Sequence, residues 1–222
     1  MDKVYLSMSE GVPQFICTAC SNCHSLMGIS MSTIQNRGCC SYFPKFELHD
    51  IHMLAKAAEG LEILDQIRAM PDVVIYNYYI HVKGYLDKAG CDQFKKSNLV
   101  SCYDVDDKSI FFRTCPFVKP GMGCTLPVKF RHFICNVFIC REVVERAGYP
   151  ELFQEYTEAC SSYARWLKRE NDSIEMLLRG EGLTLEGNFN DVIEYLKNLS
   201  IENYEFPELP EILISSGFSI GA

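Results

Sequence analysis

The chain has no long apolar run. No stretch approaches the ~18 uncharged apolar residues of a membrane-crossing helix, so no membrane is expected as a partner. The opening, Met1-Asp2-Lys3-Val4-Tyr5, lacks the apolar segment of a secretion signal, which makes the cytoplasm the expected location. Basic runs are missing too. Lys and Arg number 21 against 29 Asp and Glu, for a net charge of -8, and the stretch from Lys119 to Arg131 holds only Lys119, Lys129 and Arg131. Phosphate recognition draws on clustered cations, so nucleic acid is excluded as the main partner. There is no Gly-rich strand-to-helix turn, no P-loop, no H-E-x2-H and no Ser-His-Asp order, which removes the common nucleotide, metalloprotease and hydrolase signatures. Internal repeats and low-complexity tracts are also absent.

What the chain does have is cysteine: twelve in 222 residues. The length suffices for a real hydrophobic core without disulfide staples. In a reducing cytoplasm, clustered thiols point to metal binding rather than to disulfides. One group is Cys17-x2-Cys20-x2-Cys23 with the adjacent pair Cys39-Cys40; the other is Cys115, Cys124, Cys135 and Cys140. Thiolates three residues apart on a turn converge on one metal, because the chain curls around it. A C-x2-C pair is a zinc half-site, and three cysteines at three-residue steps form the core of a ferredoxin-type loop. All-thiolate donors favour zinc or iron–sulfur over hard cations. The C-x2-C-x2-C run leans the choice toward iron–sulfur. Neighbouring residues such as Cys39 and Cys40 point different ways, so one of the two is the expected ligand. His24, next to Cys23, is an alternative donor. Cys91, Cys102 and Cys160 stand alone and read as buried or unliganded thiols. His49, His52, His81 and His132 show no ligand spacing.

Periodicity predicts a mainly α fold with one small β-hairpin and a loop-built cysteine site packed against helices. Residues 1–45 read as a loop ordered by metal. A helix is expected over 47–69, with an apolar stripe of Leu54, Ala58, Leu61 and Leu64, bent at Gly60 and ended by Pro71. Residues 73–88 suit a strand by propensity, yet Val74, Tyr78, Val82 and Tyr85 keep helical spacing, and the helix is preferred. The hairpin is expected over 98–114, around the polar turn 104–108. That turn lacks the Gly and distal Glu of a calcium loop. A helix over 130–147 would close at Gly148, with Pro150 opening the next. That long helix, 151–169, would bury Leu152, Tyr156, Ala159, Tyr163, Trp166 and Leu167. Shorter helices follow at 173–179 and 190–199, then an irregular arm. Residues 1–148 are expected to form the cysteine domain, with an insert at about 45–110. Residues 149–222 are expected to add a helical extension on the same core.

The cysteine pattern resembles the YkgJ-like zinc- or iron-chelating (CxxCxxCC) family. Phe15-Ile16-Cys17 with Cys20 and Cys23 resembles its opening F-x-C-x2-C-x2-C-C. Cys115-Pro116-Phe117-Val118 resembles C-x-F-L, Cys124-Thr125-Leu126 resembles C-x-I-Y, and Arg131 four residues before Cys135 resembles R-P-x2-C. His24 stands where the family has its fourth clustered Cys, and His132 where it has Pro. The resemblance spans roughly residues 15–140, apart from the insert. It implies a metal- or cluster-binding protein. A related module occurs in flagellin lysine methylases, but the chain has no S-adenosylmethionine-binding signature and methylation is not carried over.

Three functions follow as expectations. The first is a cytoplasmic protein that holds an iron–sulfur cluster or zinc through these cysteines, with a redox role. The second is a structural zinc or interaction protein without catalysis. The third is a metal-dependent group-transfer enzyme, which an open coordination position would distinguish.

Overall fold

The computed structural model describes residues 2–22, 29–32, 40–97, 106–119, 122–147 and 150–214. Cys23, His24, Cys39, Cys102, Gly148 and the first arm of the expected 98–114 hairpin lie outside the described residues.

The chain opens with a hairpin, not a loop. Strands β1 (Asp2–Ser9) and β2 (Val12–Cys17) pair from Val4↔Cys17 to Ser9↔Val12. The two turn residues, Glu10 and Gly11, both take positive φ, at 50° and 81°, the geometry that matches the twist of two-residue hairpins. A 3₁₀ turn at Thr18–Asn22 follows. Then come β3 (Lys45–Glu47), α1 (Leu48–Ala55) and α2 (Ala58–Arg68). The expected single helix over 47–69 is broken at Lys56-Ala57 rather than at Gly60. Gly60 serves the packing instead: a Cβ there would sit 2.2 Å from the Leu54 carbonyl oxygen.

The helix expected over 73–88 is overturned. Those residues form β4 (Val73–Tyr76), β5 (Tyr79–Val82) and the short β6 (Tyr85–Leu86). Helical spacing and strand propensity coexisted there, and cross-strand burial of Ile80 and Val82 decided for strand. Helix α3 spans Lys88–Lys95. The expected second hairpin arm is a 3₁₀ turn, Lys108–Phe112, followed by β7 (Arg113–Thr114), which pairs with β6. The tight pair β8 (Val118–Lys119) and β9 (Gly123–Cys124) precedes a 3₁₀ turn at Val128–Phe130. The helix expected over 130–147 is two short ones, α4 (Phe133–Asn136) and α5 (Arg141–Arg146).

A 3₁₀ turn at Pro150–Phe153 leads into α6 (Gln154–Gly180), which absorbs the separate helix expected at 173–179. Tyr156, Ala159, Tyr163 and Leu167 are buried along it, whereas Leu152 is exposed and Phe153 takes the inward place. Helix α7 (Phe189–Asn198) lies where expected. The final arm ends in β10 (Ile212–Ile214), which pairs with β1.

The mainly α class therefore does not hold. Helical turns of all kinds cover about 48% of the described residues and strands 19%, in four small sheets. Their orders are β10-β1-β2, β3-β5-β4, β6-β7 and β8-β9, all antiparallel. This is a mixed α and β architecture.

Among the described residues, two main cores hold most of these pieces together, and a third, small cluster joins Cys91 to Phe111 and Phe112. The larger joins α1, α2, α7, the β3–β5 pair, the segment from Cys115 to Leu126, and Ile174 and Leu178 of α6. The smaller seats Val4, Phe15, Ile212 and Ile214 of the first sheet against Val137, Val143, Phe153 and Tyr156. Helix α6 enters both. Its 27 residues span about 40 Å at ~1.5 Å each, and it links the cores as one rigid element. Fully buried side chains such as Ile51, Leu54 and Leu178 each contribute about 1.5–3 kcal/mol. Among the described residues, no helix is long and apolar enough to cross a membrane.

Candidate metal centre

The structure sorts the cysteines into two neighbourhoods, one on each core. Cys17 ends β2, and the 3₁₀ turn after it brings Cys20 back alongside. The Cys20 side chain hydrogen-bonds Cys17 and pulls its thiol down to about 7. Burial opposes this, the Ala19 backbone supports it, and the Asp2 carboxylate opposes it. Cys20 is exposed. Cys17 packs on the smaller core, and so do Cys140 and Cys160. Cys140 caps α5, where its carbonyl accepts the Val143 N–H at 3.1 Å. Cys160, set aside as an isolated thiol, sits half-buried on α6, and burial raises its pKa. A lone residue in a helix carries no spacing signal, so only the fold brings it to this core.

The second neighbourhood is built from four chain segments. The Cys115 N–H donates to the Cys40 carbonyl at 3.2 Å. This bond joins a residue of the N-terminal cysteine group to the C-terminal one. Cys115 then turns the chain, its carbonyl accepting from Val118 N–H at 3.1 Å. Strand β8 carries the chain out and β9 returns it, with Cys124 opposite Val118. Gly123, at φ +87°, makes the return possible. Thr125 clips the hairpin from both its N–H and its hydroxyl onto the Phe117 carbonyl, at 2.8 and 3.0 Å. The Arg131 Nε donates to the Leu126 carbonyl at 2.7 Å, which fastens this turn to the segment leading into α4. That contact gives Arg131 a positioning role. His132 caps α4, its Nδ1 accepting the Ile134 N–H at 3.3 Å, and Cys135 follows.

Cys115 and Cys135 titrate in the opposite sense to Cys17. Burial, opposed by the Phe117 backbone, and then the charge of Cys124 push Cys115 up to about 11. Crowding by protein atoms, then Cys115, Cys124 and Asp50, push Cys135 up to about 12, against Arg131. Cys135 is exposed at its surface, and solvent on that side moderates the push. Around it lies a shell of perturbed groups. Burial and then Cys135 push Tyr42 up to about 12, and burial pulls His132 down to about 4. Asp50 is pushed up to about 8 by burial; a hydrogen bond from the Glu47 backbone opposes this and the Glu47 charge adds to it. That backbone bond, Glu47 N–H to Asp50 Oδ2 at 3.0 Å, is part of the α1 capping box. Clustered perturbed groups mark functional sites. Tyr42 and Asp50 had no motif around them in the sequence.

Of the cysteines expected as ligands, Cys40, Cys115, Cys124 and Cys135 are thus drawn together. Cys17 and Cys20 are paired elsewhere, and Cys140 sits on their core. Cys23 and Cys39 lie outside the described residues. Among the described residues, no three Cys, His, Asp or Glu side chains stand close enough to hold a metal ion. Cys91 is buried against Phe111 and Phe112. His49 is buried and meets Trp166 edge-on at 5.2 Å. His52 Nδ1 lies 2.8 Å from the Leu196 carbonyl oxygen. The chain matches no protein-family model, no curated protein and no solved structure.

Proposed function

We propose that this protein binds zinc or an iron–sulfur cluster through cysteine thiolates and works in the reducing cytoplasm. One observation supports the reading above all. After burial, Cys124 raises the proton affinity of Cys115, and Cys115 and Cys124 raise that of Cys135, with the Cys40 carbonyl bonded to Cys115. Thiols that repel one another's charge in this way are the groups a soft cation neutralises together. The donor set is chemically suited to either centre. The side chains must still close on the ion, since they do not converge as described, and loading therefore involves rearrangement of the Cys40 or β8–β9 segments. Cys17, Cys20 and Cys23 with Cys140 form the second candidate set. The YkgJ-like family assignment belongs to the same proposal. A bound zinc would order these segments; a bound cluster would supply electron transfer.

The test is anaerobic purification followed by metal and sulfide analysis and a visible spectrum. Brown protein with stoichiometric iron and sulfide establishes a cluster, and colourless protein with zinc establishes the alternative. Cys115→Ser or Cys124→Ser should then lose metal from the second neighbourhood. Folded, metal-free protein with Cys17 disulfide-bonded to Cys20 sinks the proposal.

A further inference from the structure

Cys17 and Cys20 are set up for a chemistry that metal binding does not use. Cys17 is anchored at the end of β2, where it pairs with Val4 of β1. The turn that follows is pinned to the start of β1. Its first residue, Thr18, accepts the Lys3 N–H on its hydroxyl oxygen at 2.9 Å and donates that hydroxyl to Asp2 Oδ1 at 3.1 Å. Ala19, between the two cysteines, is buried. The turn so fixed returns the Cys20 side chain to a hydrogen bond with Cys17. The backbone N–H groups of Ala19 and Cys20 bond Cys17 as well.

This arrangement divides the labour between the two sulfurs. Cys20 is exposed and Cys17 half-buried, so a reagent from solvent meets Cys20 first. Side chains already in hydrogen-bond contact need only a small rotation to reach the ~2.0 Å of a disulfide bond. A lone exposed thiol would stop at a mixed disulfide. A second thiol within reach resolves it, and donors around that second sulfur stabilise it as the leaving thiolate when the bond is reduced again.

We propose that Cys17 and Cys20 form a reversible redox couple that exchanges with a small-molecule disulfide of the glutathione class. The Cys20 thiolate attacks one sulfur of that disulfide, whose S–S bond breaks to release one thiolate. Cys17 then attacks the Cys20 sulfur. The Cys17–Cys20 bond closes and the second small thiolate leaves. The protein dithiol loses two electrons, the small disulfide gains them, and the two thiol protons end on the two released thiols. The proposal takes Cys17 and Cys20 out of the second candidate metal set and leaves Cys40, Cys115, Cys124 and Cys135 as they stand.

A redox titration of the full chain tests this. Protein is equilibrated anaerobically in glutathione buffers, from fully reduced to ~5 mM glutathione disulfide. It is then acid-quenched, alkylated and mapped by peptide mass spectrometry, with metal content recorded on the same samples. The expected result is loss of the Cys17 and Cys20 alkylation sites together, a Cys17–Cys20 disulfide, and full recovery in dithiothreitol. Cys17→Ser should instead accumulate glutathione on Cys20. Cys20→Ser, at the exposed position, should slow the reaction of Cys17 about tenfold or more. Circular dichroism checks that both variants fold. Separate glutathionylation of the two thiols in the parent chain overturns the proposal. So does pairing of either with another cysteine, or alkylation of both throughout the titration. Metal that is retained by the parent and lost in both Cys17→Ser and Cys20→Ser also overturns it, and supports the metal set instead. A Cys17–Cys20 disulfide in folded protein that never retains metal defeats the metal reading and leaves this one standing.

Discussion

The two cysteine neighbourhoods contain the same side chain in opposite electrostatic settings. At the end of β2, a neighbouring thiol and backbone N–H groups stabilise negative charge, and Cys17 falls to about 7. Beside β8 and β9, burial and like neighbours oppose it, and Cys115 rises to about 11. Thiol reactivity is therefore set by the packing around each cysteine, not by cysteine density. The first site is the readier nucleophile. The second gives up its protons only to a compensating cation, and its metal affinity should rise steeply with pH.

The most disruptive way to break this comparison is Gly84→Ala. The added methyl meets the Thr114 carbonyl and the Phe43 ring, and overpacking of this kind costs about 3 kcal/mol. The expected result is a large loss of stability in urea melts, with Cys115 displaced and the Cys17 titration unchanged. An unaltered melting curve would show that the Cys115 segment is looser than its contacts imply.

The pH dependence of stability sharpens the contrast. Cys115 holds its proton more tightly folded than unfolded, from 9.0 to about 11. Its contribution is intact below pH 9 and is lost as pH rises to 11, about 2–3 kcal/mol in all. Cys115→Ser should remove that alkaline decline in chelated, reduced protein. Cys17 behaves inversely. Its folded thiol ionises near 7 rather than 9.0, so it adds stability from pH 7 upward, complete above 9, and loses it as pH falls through 7. The site is half-exposed, and solvent screening reduces the effect to about 1 kcal/mol. Cys17→Ser should flatten that rise; a variant that tracks the parent from pH 6 to 9 would contradict the lowered thiol.

The smallest effect is expected at the bridge between the two regions. Lys129, in the 3₁₀ turn before α4, pairs with Glu10 at the β1–β2 tip at 3.0 Å and with Glu59 at 3.7 Å. Lys129→Ala should cost about 0.5 kcal/mol, because α6 rather than a surface ion pair couples the cores. A loss of several kcal/mol would reverse that ranking.

Legibility varied along the chain for physical reasons. Helices α6 and α7 were readable because each buries one stripe over several turns, as Tyr156, Tyr163 and Leu167 do. The β1–β2 hairpin was not, because only Val4, Pro13 and Phe15 turn fully inward, and apolar Tyr5, Leu6, Val12 and Ile16 on less buried positions blur the alternation. Residues 73–88 carried both periods at once, and pairing with the distant Lys45–Glu47 strand chose between them. The break after Asn136 was invisible for a similar reason: Phe133, Val137, Cys140 and Val144 keep helical spacing across it while packing on the first sheet's core.

The sequence by itself determined the supply of soft ligands, the absence of a long apolar span and the positions of the strongly amphipathic helices. Composition and short-range periodicity are local properties, and they survive without a fold. Which cysteines become neighbours was decided by tertiary structure alone. Cys40 meets Cys115 across a backbone hydrogen bond, and Cys17 shares a core with Cys140 and Cys160. Those partners are far apart in the chain. They meet because burying the apolar faces of α1, α6 and the first sheet leaves the thiols no other place.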